Sequence, residues 1–153
     1  MVTWIPEELP VNEQEYRPSA ALRRLDRLVG TWTVTGGAVG TVTYEWVNDF
    51  FLTQRVDLEH EGHKSTGLEI IGHSRPFGQE PSDDIVSRYY GDGGDTLDYV
   101  YEIDGDTLTI WGGERGSPAY YRGTFSADGK TADGAWVFPG GGGYKSTMRR
   151  TGS

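Results

Sequence analysis

The chain of 153 residues has no cysteine, which removes disulfides, thiolate metal sites and a cysteine nucleophile together. It also lacks any apolar run near the roughly 20 residues that a membrane-spanning helix requires. Residues 1–18 show no basic leader followed by an apolar core, so no signal peptide is evident and a soluble, cytoplasmic protein is expected. Positive charge is scarce, with Lys+Arg 14 against Asp+Glu 23 and a net charge of −9. Only two tight basic groups occur, Arg23-Arg24 with Arg27 and Lys145 with Arg149-Arg150. Such a surface repels a polyanion, so neither nucleic acid nor a membrane is an expected partner. Catalytic signatures are missing too. There is no Gly-Lys-Ser/Thr phosphate loop and no Gly-x-Ser-x-Gly elbow. The Asp92-Gly93-Gly94-Asp95 turn falls short of a calcium loop.

Glycine and aromatic residues are abundant instead, Gly 23 with 12% Phe, Trp and Tyr. Glycine serves tight turns and barrel corners, and aromatic residues suit half-buried strands, so the pair points to an all-β fold. The length suits one domain. Residues 1–18, with Pro6, Pro10 and Pro18, read as an extended arm, and 19–153 as a single barrel domain. Trp4 and Ile5 are the apolar exceptions in the arm, placed to pin it to the barrel or to close an end. Ser19 is an N-cap for a short helix over 20–29, whose Leu22, Leu25, Leu28 and Val29 share one face. Gly30 stops it. Arg23, Arg24, Asp26 and Arg27 form a solvated face, and the helix would plug one end of a barrel.

Ten strands follow, at 31–35, 41–48, 51–60, 64–73, 85–90, 96–103, 107–111, 119–126, 131–138 and 144–150. Asp104-Gly105 and Asp128-Gly129 are two-residue hairpin signals, and 75–84 is the one substantial loop. Short strands at roughly 8–12-residue spacing, joined by consecutive hairpins, predict an antiparallel up-and-down meander. Closing it into a barrel removes both exposed edges.

The polar residues of interest sit on the third and fourth strands. Phe51, Thr53, Arg55, Asp57 and Glu59 share one face of the third, and Leu52, Gln54, Val56, Leu58 and His60 the other. On the fourth, Ser65, Gly67, Glu69, Ile71 and His73 lie together. Periodicity leaves open which faces point inward. With the polar faces inside, Arg55, Asp57, Glu69 and His73 converge on a cavity as an ion pair or an acid/base couple; with them outside, they are surface salt bridges. His60 and His63 bracket a turn, and no metal-ligand spacing is present. Tyr44, Trp46, Tyr89, Tyr99, Tyr101, Trp111, Tyr121 and Trp136 give the strands aromatic bodies with polar tips, which suits a roomy interior better than a purely aliphatic core would.

A short helix, then Gly30-Thr31-Trp32, then a meander ending in a basic strand resembles the lipocalin-like (calycin) barrels. With Tyr44-Glu45-Trp46, Arg55-Val56-Asp57 and Glu69-Ile70-Ile71-Gly72, the chain is most similar to a group of small bacterial lipocalin-like proteins of uncharacterised function. The resemblance implies a ten-stranded barrel in which Trp32 packs under an Arg of the last strand, Arg149 or Arg150, with Arg149 favoured. The expected function is binding of a small, largely apolar molecule inside the barrel, with Arg55, Tyr44, Trp46, Tyr99, Tyr101, Trp111, Tyr121 and Trp136 as contacts. The alternatives are a cyclase or isomerase using Glu69, Asp57 or His73, and a homodimer with a filled barrel. Haem barrels of the nitrobindin type carry glycines after Gly-x-Trp and a late histidine. Here Thr33-Val34-Thr35 follows and His73 is the last histidine, so no cofactor is expected.

Overall fold

The computed structural model describes residues 16–152. The proposed anchoring of the arm by Trp4 and Ile5 lies outside the described residues. Ser19 caps the helix as its sequence suggests, its Oγ accepting from the Leu22 N–H at 3.0 Å. The α-helix α1 (Ala20–Arg23) lasts one turn and tightens into a 3-10 turn over Arg24–Leu28. Val29 is already extended, and Gly30 opens the first strand at φ +129°, a conformation open to glycine but strained for other residues.

Ten strands form one closed antiparallel barrel: β1 (Gly30–Gly36), β2 (Ala38–Trp46), β3 (Leu52–His60), β4 (His63–His73), β5 (Ile85–Gly91), β6 (Thr96–Asp104), β7 (Thr107–Gly112), β8 (Tyr120–Phe125), β9 (Thr131–Val137) and β10 (Tyr144–Gly152). Each strand pairs with its sequence neighbours, and β1 also pairs with β10, so no edge is left. This closed ten-stranded meander agrees with a lipocalin-like fold. Three strands start earlier than glycine and turn signals suggest, β1 by taking in Gly30 itself. β2 begins at Ala38 because Gly40, at φ +147°, stays inside the ladder; a Cβ there would lie 2.0 Å from the Asp57 carbonyl oxygen. β4 begins at His63 because Glu61 and Gly62 both take positive φ, giving a two-residue turn that pairs His60 with His63.

The alternation of apolar and polar residues sets the core. Leu22, Leu25 and Leu28 close one end of the barrel over Trp32, Leu52, Ile71 and Leu108, all 0–1% exposed. Around this helix end the polar face of the helix is tied to the barrel rather than simply solvated. Arg27 donates to the Gly105 carbonyl at 3.0 Å, pairs with Asp106 at 3.0 Å and lies over the Phe125 ring. At the opposite end, inward-facing Val56, Leu58, Tyr99, Trp136 and Tyr144 keep partial solvent access, and Leu97 is 49% exposed.

Candidate functional site

The register places a row of polar side chains across the inner wall. Tyr44 on β2 pairs with Gln54 on β3, Gln54 with Glu69 on β4, and Glu69 with Tyr89 on β5. Glu69 is 4% exposed. Ser87, one pair further along β5, donates its hydroxyl to Glu69 Oε2 at 2.5 Å. The Tyr101 hydroxyl engages the same carboxyl, and Tyr44 engages Tyr101. Burial is the main force on this group: it lifts the Glu69 carboxyl to about 7, against the opposing hydrogen bonds from Ser87 and Tyr101. Burial likewise raises the Tyr44 and Tyr101 phenols well above their ordinary range, reinforced by the Glu69 charge. All these tyrosines are therefore neutral hydrogen-bonding groups at physiological pH.

Tyr121 completes the belt from the other side of the barrel. It is buried, and its hydroxyl has no hydrogen-bond partner among the described residues. Two glycines make its place: a Cβ at Gly123 would lie 2.3 Å from that hydroxyl, and one at Gly134 would lie 2.6 Å from it. Burial pushes the phenol up to about 12. Above it, Trp136 lies 5.6 Å from Tyr121 and 6.1 Å from Tyr99, ring centre to ring centre. Phe138 stacks on Trp136, and Tyr144 stacks on His60 at 4.2 Å. The interior therefore divides into an aliphatic floor at the helix end, a polar belt, and an aromatic upper wall.

Several expected site residues lie elsewhere. On β3 the apolar face is the inner one, so Arg55 and Asp57 stand on the outer wall, where Asp57 pairs with Lys64 at 3.2 Å. The polar faces of β3 and β4 do not converge: Glu69 is inside and Arg55 and Asp57 are outside. His73 lies at the helix end, separated from Glu69 by the intervening Ile71 on the same face. Its Nδ1 donates to the Ser82 carbonyl at 2.7 Å, which leaves Nε2 to accept from Ser19 Oγ at 2.7 Å. It therefore ties the helix cap to the 74–84 loop and is not placed for acid/base work on the belt. Trp46 is also at the helix end, donating to Asp26 at 2.8 Å beneath the Arg23 guanidinium. Trp111 belongs to an outer cluster with Tyr120 and Arg122, its indole N–H donating to Glu102 at 2.7 Å. The guanidinium over Trp32 is that of Arg150, at 4.3 Å, and not that of exposed Arg149. The regular β1–β10 register pairs Arg150 with Trp32, on the face of β10 that also carries buried Ser146 and Met148; the bulge lies beyond that pair, at Thr31.

Tyr44, Tyr99, Tyr101, Tyr121, Trp136 and Glu69 are the predicted residues that the fold does gather inside. Ser87 escaped sequence reasoning. Its signal is its place between Ile85 and Tyr89 on one strand face, a hydroxyl among apolar neighbours, but only the β4–β5 register sets it beside Glu69. Two depressions mark the outer surface. One of about 780 Å³ runs over the outer wall by Thr43, Arg55 and Tyr90, and one of about 550 Å³ lies by Ser19, Phe51 and His73. Neither is lined by Glu69, Tyr101 or Tyr121. Among the described residues no group of acidic, His or Cys side chains is placed to hold a metal ion. No helix of the described chain is long and apolar enough to cross a membrane. No protein-family model matches the chain, and no curated protein matches it in sequence.

Proposed function

We propose that the upper half of the barrel is a cup that binds a small, largely apolar molecule and seats one polar atom of it on the tyrosine belt. The observation that carries this reading is the buried Tyr121 hydroxyl without a partner. Leaving such a group unsatisfied costs about 1–3 kcal/mol, so a ligand atom that meets it gains correspondingly. The aromatic wall of Tyr99 and Trp136 supplies apolar surface above that point, and the solvent access of Val56, Leu58 and Leu97 supplies a way in. Few polar groups in an otherwise apolar concavity is the usual composition of a small-molecule site.

Titration with the neutral fluorophore Nile red tests the reading. A saturable blue shift at a 1:1 ratio is expected, with quenching of tryptophan emission by the bound dye. Gly123→Ala should weaken binding roughly tenfold, because the three atoms nearest its methyl all belong to the Tyr121 side chain, which it displaces. Absence of saturable binding would sink the proposal.

A second reading rests on Glu69. A buried carboxyl that titrates at about 7 is suited to take and return a proton at neutral pH. On this reading the barrel is a cyclase or isomerase of an apolar metabolite, with Glu69 as the acid/base group and Tyr44, Tyr101 or Tyr121 holding an oxygen. Asp57 and His73 have no part in it. Glu69→Gln separates the two readings, since it removes turnover while leaving a binding protein.

A further inference from the structure

The polar belt is uneven in its charge. Among the described residues Glu69 is the single charged side chain that is fully buried; the other buried polar side chains are Thr53, Gln54, Ser87, Thr109 and Ser146. The arginines that strands contribute nearby are directed elsewhere. Arg55 stands on the outer wall, Arg88 pairs with Asp98 outside at 2.7 Å, and Arg122 lies over the outer rings of Trp111 and Tyr120. Arg150 is inside but committed to the Trp32 ring and to the carbonyls of Val29 and Arg27. Among the described residues no arginine or lysine therefore faces the belt, while a carboxyl and several hydroxyls do.

Taking the cup as the binding site, we infer that it selects neutral ligands with a carbonyl or hydroxyl head and rejects carboxylates on the same hydrocarbon chain. A carboxylate entering the belt exchanges its hydration for hydroxyl groups without a counter-charge, and it meets like charge whenever Glu69 is ionised. A carbonyl needs only a donor, and the Tyr121 hydroxyl is one. A hydroxyl both accepts from Tyr121 and donates to Glu69. Discrimination then comes from an unpaired charge built against the wrong head group, with the apolar part of the ligand contributing equally to both.

Competition against bound Nile red with decanol, 2-decanone and decanoate, at mildly alkaline pH and below the micellar range, tests this. Decanol and 2-decanone should displace the dye at concentrations at least about tenfold below that of decanoate. In Glu69→Gln the decanoate curve should move toward the other two by about threefold or more, and the 2-decanone curve, whose carbonyl needs only the Tyr121 donor, should stay within about twofold. Decanoate competing as well as decanol would overturn the selectivity, as would failure of all three to displace the dye, or a Glu69→Gln variant with the gap unchanged. Failure of Nile red itself to bind would instead bring down the cup as a binding site. The two failures are thus read from different curves.

Discussion

Trp32→Ala should lower the melting temperature by about 6–20 °C. The indole is 0% exposed, its N–H donates to the Leu28 carbonyl at 2.8 Å, and Phe125 packs 6.4 Å away. Truncating a buried Trp to Ala costs about 3–5 kcal/mol, and each kcal/mol is worth about 2–4 °C at this chain length. Arg150→Ala should follow in the same direction. It removes the guanidinium from the indole face and frees the carbonyls of Val29 and Arg27, which end the 3-10 turn. A loss of about 2–3 kcal/mol is expected for the charged hydrogen bonds and the ring contact together. Arg149→Ala, one residue earlier on the exposed face, should stay within about 0.5 kcal/mol of the parent. Thermal unfolding of the three variants checks the assignment. Equal losses at the two arginines would contradict it, and a Trp32→Ala protein of normal stability would mean the helix end is not where the barrel is held.

The second large effect concerns pH. Glu69 titrates at about 7 when folded and near 4.5 when exposed. Below the lower value the carboxyl is protonated in both states and contributes no penalty. As pH rises toward 7 the unfolded chain loses its proton first, so the folded state becomes progressively less favoured. Above 7 the penalty is complete and flat, about 3 kcal/mol at 1.36 kcal/mol for each unit of displacement. Glu69→Gln keeps the shape and removes this titration. At alkaline pH the variant should be more stable than the parent by up to about 3 kcal/mol, and near pH 4.5 the difference should vanish or reverse slightly as the Ser87 hydrogen bond adapts. Denaturant unfolding of both proteins across this range isolates the term, since every other group cancels in the difference. A variant destabilised equally at all pH values would show that the carboxyl is not desolvated as its surroundings imply.

The ten strands and the helix were legible because their signals are local. Period-two alternation and Gly-containing hairpins act within a few residues, and the helix needs only Ser19 and its three leucines. The site was half legible for the same reason. Tyr44, Tyr99, Tyr101 and Tyr121 stand on faces that are apolar throughout, so their inward direction follows from their own strands. Arg55 and Asp57 share a face with Phe51 and Thr53, and the opposite face carries Gln54 and His60, so alternation gave no clear preference. Burial of Leu52 against the leucines of the helix decides it, a tertiary fact. His73 looked like a mouth residue because it borders a long loop. That loop, however, belongs to the helix end, where Ser19 and Ser82 claim both ring nitrogens. The choice between Arg149 and Arg150 follows from alternation along the last strand, which puts Arg150 on the face of buried Ser146 and Met148 and Arg149 on the other, once Met148 is known to point inward.

The closure of β1 on β10 also sets an order of events in folding. Nine of the strand pairings join consecutive strands across a turn or loop, and each can zip from its own connection. The tenth is different in kind: Arg150 and Val29, which meet there, are 121 residues apart along the chain. Closing so long a loop is entropically costly until the intervening meander is already in place, so this seam joins last. Interactions formed after the rate-limiting barrier act on the rate of opening and leave the rate of assembly nearly untouched. The Trp32–Arg150 contact is therefore a kinetic fastener: removing it should shorten the lifetime of the folded barrel without slowing its formation.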